Sequence, residues 1–197
     1  MRKAINHLKQ ADPVMAAIIE RVGPCKMSQS DPTFEALARA IVYQQLHGKA
    51  AATIYGRLLA AASDPLTPEA VLRLTPEEMR TLGLSGQKAK YIRDLAERTH
   101  RGEIDFPALQ QMDDEAVLRV LTQVKGVGVW TVHMFLMFSL QRPNILPTGD
   151  LGIRNAIKKA YRMRKDPKPA DMEKRAKPWH PYCTVASWYL WRSLEVD

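Results

Sequence analysis

Val124-Lys125-Gly126-Val127-Gly128-Val129-Trp130 is the stretch on which the reading of this chain turns. Upstream, Val117, Val120, Leu121 and Val124 recur at i, i+3, i+4 and i+7, the spacing of one apolar helix face. Downstream, a second apolar helical run starts at once. Gly126 and Gly128 let the backbone between the helices take positive φ and pass close to another chain. The second helix begins with unbonded N–H groups and a dipole aimed into the turn, which makes a site for an anion such as phosphate. Lys125 adds a cation beside it. A bare GxG is weak on its own, since a tight turn between helices also calls for glycine. The surrounding sequence has to decide.

Outward from the hairpin the chain reads as helix after helix. Asp12-Pro13, Asp31-Pro32, Thr67-Pro68 and Thr75-Pro76 each place a capping residue before a proline suited to the first helical position. Thr75-Pro76-Glu77-Glu78 also has the form of a capping box. Helices are predicted near 12–22, 32–46, 49–62, 67–73, 76–81, 86–101, 113–123, 129–140, 151–162, 170–177 and 180–194. No stretch alternates with a period of two, and no segment resembles a flexible linker or a repeat. The expected fold class is all-α.

The chain has 197 residues, 46% of them hydrophobic and 25% charged, enough apolar content to order one domain or two small lobes. Two cysteines rule out a disulfide framework and any site needing four thiolates, so Cys25 and Cys183 read as buried, inert thiols. No apolar run reaches the roughly 20 residues of a membrane span. The start, MRKAINHLKQADP, lacks the apolar core of a signal peptide, so the expected location is cytoplasmic, with the nucleoid if the source is bacterial. The net charge is +8. Between Leu151 and His180 ten Lys and Arg face three acids. Such a stretch is either a solvated face or a surface for an anionic polymer.

The order of motifs resolves these alternatives. Val124-Lys125-Gly126-Val127-Gly128-Val129-Trp130-Thr131, followed by Ile145-Leu146-Pro147-Thr148-Gly149-Asp150, resembles the helix-hairpin-helix DNA glycosylase superfamily. Gln44-Gln45-Leu46-His47-Gly48-Lys49-Ala50-Ala51 is similar to a helix pair of that family. Leu82-Gly83-Leu84-Ser85-Gly86-Gln87-Lys88-Ala89 looks like its turn facing the gap left by a flipped base. Lys177-Pro178-Trp179 resembles the opening of a late helix in the 3-methyladenine DNA glycosylase II branch. Larger members of that branch carry an N-terminal β-rich domain, which this sequence lacks, so it looks like a minimal form.

The resemblance implies one glycosylase domain over 1–197. It would have two lobes, a hairpin lobe near 34–132 and a second from the N-terminal helix plus 133–197, with the active site in the cleft between them. It implies that Lys125, Gly126, Val127 and Gly128 grip backbone phosphate. Carbonyls near Val124 and Val127 would hold a monovalent cation, with no other cofactor. Asp150 would be catalytic: a carboxylate near the sugar offsets the positive charge of an oxocarbenium-like state and can activate water. Spacing alone makes Asp150 an N-cap of the next helix; the hairpin upstream adds the catalytic role.

Bifunctional relatives carry lysine two residues past the second hairpin glycine, and Trp130 there cannot form a Schiff base. The expected reaction is therefore monofunctional removal of alkylated purines, such as 3-methyladenine and 7-methylguanine, from double-stranded DNA by a monomer. A flipped cationic base calls for an aromatic pocket, for which Trp179 leads, then Trp130, with Tyr43 and Met134 beside them. Trp188 and Trp191 read as core, on one helix with Val185 and Leu194. Leu84, Ser85 and Gly86 are candidates to fill the gap in the duplex, and His47 to enter the minor groove. Two alternatives remain open from sequence: a glycosylase for uracil, hypoxanthine or an oxidised purine, or a non-catalytic module clamping DNA backbone.

Overall fold

The computed structural model describes residues 1–196. Among these the secondary structure is entirely helical: thirteen α-helices and one short 3-10 turn. They form two compact units, Ser30–Phe135 and a second unit made of Met1–Gln29 with the chain from Leu136 onward.

In the Ser30–Phe135 unit, α3 (Phe34–Tyr43), α4 (Gly48–Ala61), α5 (Pro68–Arg73), α6 (Pro76–Thr81) and α7 (Gly86–His100) are followed by α8 (Phe106–Leu109) and α9 (Asp114–Leu121). Helix α7 is the centre, packed against α3, α5 and α6, and its Ile92 and Leu95 meet no solvent. The predicted starts at Thr67 and Thr75 hold: each hydroxyl accepts an N–H of the first turn, and Thr75 with Glu78 completes the capping box. Each such cap is worth about 1 kcal/mol. The start expected at Asp31-Pro32 lies two residues later, because Thr33 is the residue whose hydroxyl takes the Ala36 N–H. The same helix stops at Tyr43 rather than 46: Gln44 turns to ψ 129° and Gln45 takes φ 54°.

The other unit holds α1 (Arg2–Ala11), α2 (Pro13–Val22), α11 (Leu151–Ala160), α12 (Pro169–Ala176), the 3-10 turn Lys177–Trp179 and α13 (Cys183–Arg192). Helix α10 (Val129–Phe138) gives its first seven residues to the hairpin unit and Leu136–Phe138 to this one. Cys183 through Leu190 are all buried, so α13 is the spine of the core. Neither α1 nor the single turn of α8 was expected from sequence. Met1 caps α1 without a side-chain bond, and Ala4 and Leu8 are its buried residues.

At the α1–α2 junction Asp12 is buried with four donors. Its Oδ1 accepts the Val14 and Met15 N–H groups, and its Oδ2 accepts the Trp179 Nε1–H at 2.9 Å and the Tyr161 hydroxyl. A buried charge is tolerable only when satisfied in this way. Burial and the Asp12 carboxylate together push the Tyr161 hydroxyl well above the usual phenol range.

Candidate active site

The loop before Asp150 is pinned from α13. The Thr184 hydroxyl donates to the Arg142 carbonyl and accepts the Ile145 N–H at 3.0 Å, while the Thr184 N–H donates to the Pro143 carbonyl at 3.0 Å. The chain then closes a short turn in which the Asp150 N–H donates to the Pro147 carbonyl at 2.9 Å. Asp150 is the N-cap of α11, its Oδ1 accepting the Ile153 N–H at 2.8 Å. The same oxygen accepts the Trp191 Nε1–H at 2.9 Å. Two donors on one oxygen, from the helix start and from an indole, fix the orientation of a half-buried carboxylate at the positive end of a helix dipole.

Gly152 leaves room for this pair. A Cβ there would lie 3.0 Å from Asp150 Oδ1 and 3.0 Å from the Trp191 ring. Phe138 stacks on Trp191 with ring centroids 6.1 Å apart and planes 29° from parallel. Phe138, Trp188 and Trp191 line a cavity of about 520 Å³ together with Val22, Pro24 and Arg192. Aromatic faces of this kind attract a cationic base. The sequence reading assigned Trp191 to the core. It is only half-buried, and its hydrogen bond reaches a residue 41 positions earlier.

Trp179 departs from expectation in the opposite direction. It is fully buried, with its N–H spent on Asp12, so it holds the N-terminal helices in place and presents no face to a ligand. Cys183 is buried, and desolvation pushes its thiol up to about 12; Cys25 is raised by the same cause. Cys183 is buried as expected, whereas Cys25 is only half-buried.

In the hairpin unit, the Val127 N–H donates to the Val124 carbonyl at 3.0 Å and Gly126 takes φ 78°. A Cβ on Gly126 would overlap the Tyr91 ring of α7, so both the conformation and the packing demand glycine. The Lys125 N–H donates to Asp94 Oδ2 at 2.9 Å, and Arg98 Nε donates to the same oxygen at 3.1 Å. Burial by itself would raise the Asp94 carboxyl. The Lys125 amide, the Arg98 hydrogen bond and both cationic charges outweigh it and hold Asp94 below the usual carboxylate range. The Lys125 ammonium lies 3.5 Å from Asp94 Oδ1 with its side chain 70% exposed, so it remains within reach of an external anion. At the start of α10, Val129 and Trp130 stand out from the surface, and Met134 one turn on is half-buried.

Three segments singled out from sequence meet around one cavity of about 450 Å³: Gln45 and Leu46, the Leu84–Ser85 turn, and Gly126 over Tyr91. Leu84 itself is buried and does not project, so it is no wedge for a duplex. Ser85 caps α7, leaving Ser85, Gly86 and Gln87 as the exposed tip. His47 is exposed as the N-cap of α4. Tyr43 is half-buried between Arg39, whose guanidinium lies 4.4 Å from the ring centroid, and Tyr55, and it lines neither cavity. The Val124, Gly126 and Gly128 carbonyls already accept Val127 N–H, Gln44 Nε2–H and Val132 N–H. Of the two carbonyls expected to hold a cation, that of Val124 keeps a second lone pair beside its bond from the Val127 N–H. No group of three or more His, Cys, Asp or Glu suited to a metal occurs among the described residues.

Residues 38–181 match the model of the HhH-GPD superfamily of base excision DNA repair proteins. DNA-3-methyladenine glycosylase 1 of Schizosaccharomyces pombe is 34% identical over all of this chain and 89% of its own length. A solved S. pombe 3-methyladenine DNA glycosylase in complex with abasic DNA superposes with a TM-score of 0.85 at 35% identity, covering 99% of this chain and 98% of that one. A DNA-3-methyladenine glycosidase from Bacillus halodurans superposes at 0.87 with 35% identity, covering 95% and 87% of the two chains.

Proposed function

The chain belongs to the HhH-GPD superfamily of base excision DNA repair proteins, and from that premise we propose that it is a monofunctional DNA glycosylase releasing alkylated purines from double-stranded DNA. The observation that carries the reading is the Asp150 carboxylate, held by the Ile153 N–H and the Trp191 indole at the mouth of α11. Similarity to proteins named 3-methyladenine glycosylases supports the choice of substrate.

An alkylated purine carries positive charge and leaves readily, so no strong general acid is required. As the bond from base to sugar lengthens, positive charge grows on the sugar and the Asp150 carboxylate offsets it. Water then adds to the anomeric carbon and loses its proton, with Asp150 as the base within the site. The products are the free base and an abasic site. Trp130 carries no amine, so no Schiff base forms at that position and the strand stays intact. Phe138 and Trp191 offer the π faces for the cationic base, the part expected of Trp179; Trp188 is buried, with the Arg192 guanidinium 5.9 Å from its ring centroid.

The hairpin addresses backbone phosphate through Lys125 and the Gly126–Gly128 turn, although the Lys125 and Val127 amides themselves are spent on Asp94 and Val124. A monovalent cation held by the Val124 and Val127 carbonyls would add positive charge for the same phosphate. The reading places the protein with DNA in the cytoplasm, acting as a monomer. A panel of duplexes, each with one lesion, tests it: 3-methyladenine and 7-methylguanine should be released fastest. Preference for uracil, hypoxanthine or 8-oxoguanine would overturn the substrate class.

A further inference from the structure

The hairpin and the Gln44–His47 loop are braced by one face of α7. Lys88, Tyr91, Asp94 and Arg98 follow one another at helical spacing, three or four residues apart. Asp94 takes the Lys125 amide, and Tyr91 fills the space beneath Gly126. Lys88 turns away from solvent: its ammonium donates to the Val42 carbonyl at 2.6 Å and the Gln44 carbonyl at 2.7 Å. These lie at the C-terminus of α3, where unpaired carbonyls and the negative end of the dipole favour a cation. Gln44 links the loop onward, its Nε2 donating to the Gly126 carbonyl at 3.0 Å and to Thr131 Oγ1 at 3.4 Å.

One residue past these ties Gln45 takes φ 54°, a left-handed conformation that costs a residue with a side chain and persists only where its surroundings impose it. Desolvation depresses the Lys88 ammonium, a cost that an ordinary surface lysine avoids.

We propose that Lys88 and Gln44 are positioning residues for duplex recognition: they latch the Gln44–His47 loop to the hairpin, so that His47 and the hairpin meet DNA as one rigid surface. The proposal rests on the DNA-glycosylase reading. It differs from a phosphate contact by Lys88, because an ammonium spent on two carbonyls releases no counterion when DNA binds.

The experiment uses full-length protein with Lys88→Met, Lys88→Arg and Gln44→Ala. Three quantities are read: the melting temperature, the Kd for an undamaged duplex at several salt concentrations, and KM and kcat on a duplex with one 7-methylguanine. Lys88→Met should weaken duplex binding and raise KM about tenfold while kcat changes less than twofold. The slope of log Kd against log salt should stay at the wild-type value. Lys88→Arg, which keeps a donor to the two carbonyls, should recover part of the loss. Gln44→Ala, outside the core, should weaken duplex binding with an unchanged melting temperature, which keeps the test alive if Lys88→Met fails to fold.

A slope reduced by about one in Lys88→Met would make Lys88 a direct phosphate contact and overturn the latch. Unchanged affinity in Gln44→Ala would overturn it too. Wild-type protein that binds no duplex at all would instead remove the reading on which the proposal stands.

Discussion

Replacing Trp191 by Phe keeps an aromatic ring beside Phe138 but removes the pyrrole edge of the indole, and with it the N–H that donates to Asp150 Oδ1 at 2.9 Å. A hydrogen bond to a charged acceptor is worth about 1.5–3 kcal/mol. If the bond aims the carboxylate in the transition state, the barrier rises by that amount, and at about 1.4 kcal/mol per decade the rate falls roughly 10- to 150-fold. Stability should suffer less. The Ile153 N–H still holds Oδ1 and caps α11, so a loss near ~1 kcal/mol is expected, about 2–4 °C in a chain of this size. The assay is single-turnover base release at saturating protein from a duplex with one 7-methylguanine, beside the Kd for abasic duplex. Gly152→Ala supplies the partner, since its Cβ would press on both Asp150 Oδ1 and the Trp191 ring. The double variant should lose little beyond the worse single variant, a coupling of at least about 1 kcal/mol. A wild-type rate in folded Trp191→Phe, or strictly additive losses, would refute the reasoning.

Asp94→Ala should destabilise the protein by about 2–3 kcal/mol in thermal melting, because it strands the Lys125 amide and Arg98. Since Asp94 is held below the usual carboxylate range, its stabilisation is complete above the ordinary Asp pKa near ~4 and is lost as pH falls through the lower folded value; acid melts of wild type and Asp94→Ala should therefore converge at the lowest pH. Lys125→Ala should weaken duplex binding on every sequence and reduce the salt slope by about one, read by fluorescence anisotropy. Gly126→Ala should cost far more than Lys125→Ala in both melting temperature and affinity, because its Cβ overlaps Tyr91 at φ 78°. Borohydride added during turnover should trap no protein–DNA adduct, and the product strand should break only on treatment with alkali.

Local signals in the sequence located much of this molecule. The caps at Asp12, Thr67, Thr75 and Asp150 were legible because a cap is a contact across three residues, written in adjacent letters. The hairpin was legible for the same reason. Helix α1 was missed because Met1 offers no capping side chain, and α8 because one turn shows no period. The tryptophans show a different limit. Trp188 and Trp191 share α13 with Val185, and with Leu194 just past its end they read as core, yet the Trp191 N–H reaches Asp150 across 41 residues. Trp179 looked like a pocket wall, but its indole serves Asp12 at the other end of the chain. A buried indole needs an acceptor, and the capping aspartate of Asp12-Pro13 was the available clue. The α7 face of Lys88, Tyr91, Asp94 and Arg98 also passed unnoticed, because a polar stripe on a helix ordinarily faces water.

The central claim, that Asp150 performs the chemistry, is tested most directly by Asp150→Asn. Asparagine caps a helix about as well as aspartate and has nearly its volume, so α11 and DNA binding should persist while the carboxylate charge is removed. The measurement is release of free methylated purine from alkylated duplex DNA, quantified by chromatography, for wild type and Asp150→Asn at equal occupancy of DNA. The account predicts steady release of 3-methyladenine and 7-methylguanine by the wild type and a loss of at least about 100-fold in the variant, with the Kd for duplex within a few-fold. Release by Asp150→Asn near the wild-type rate would contradict it.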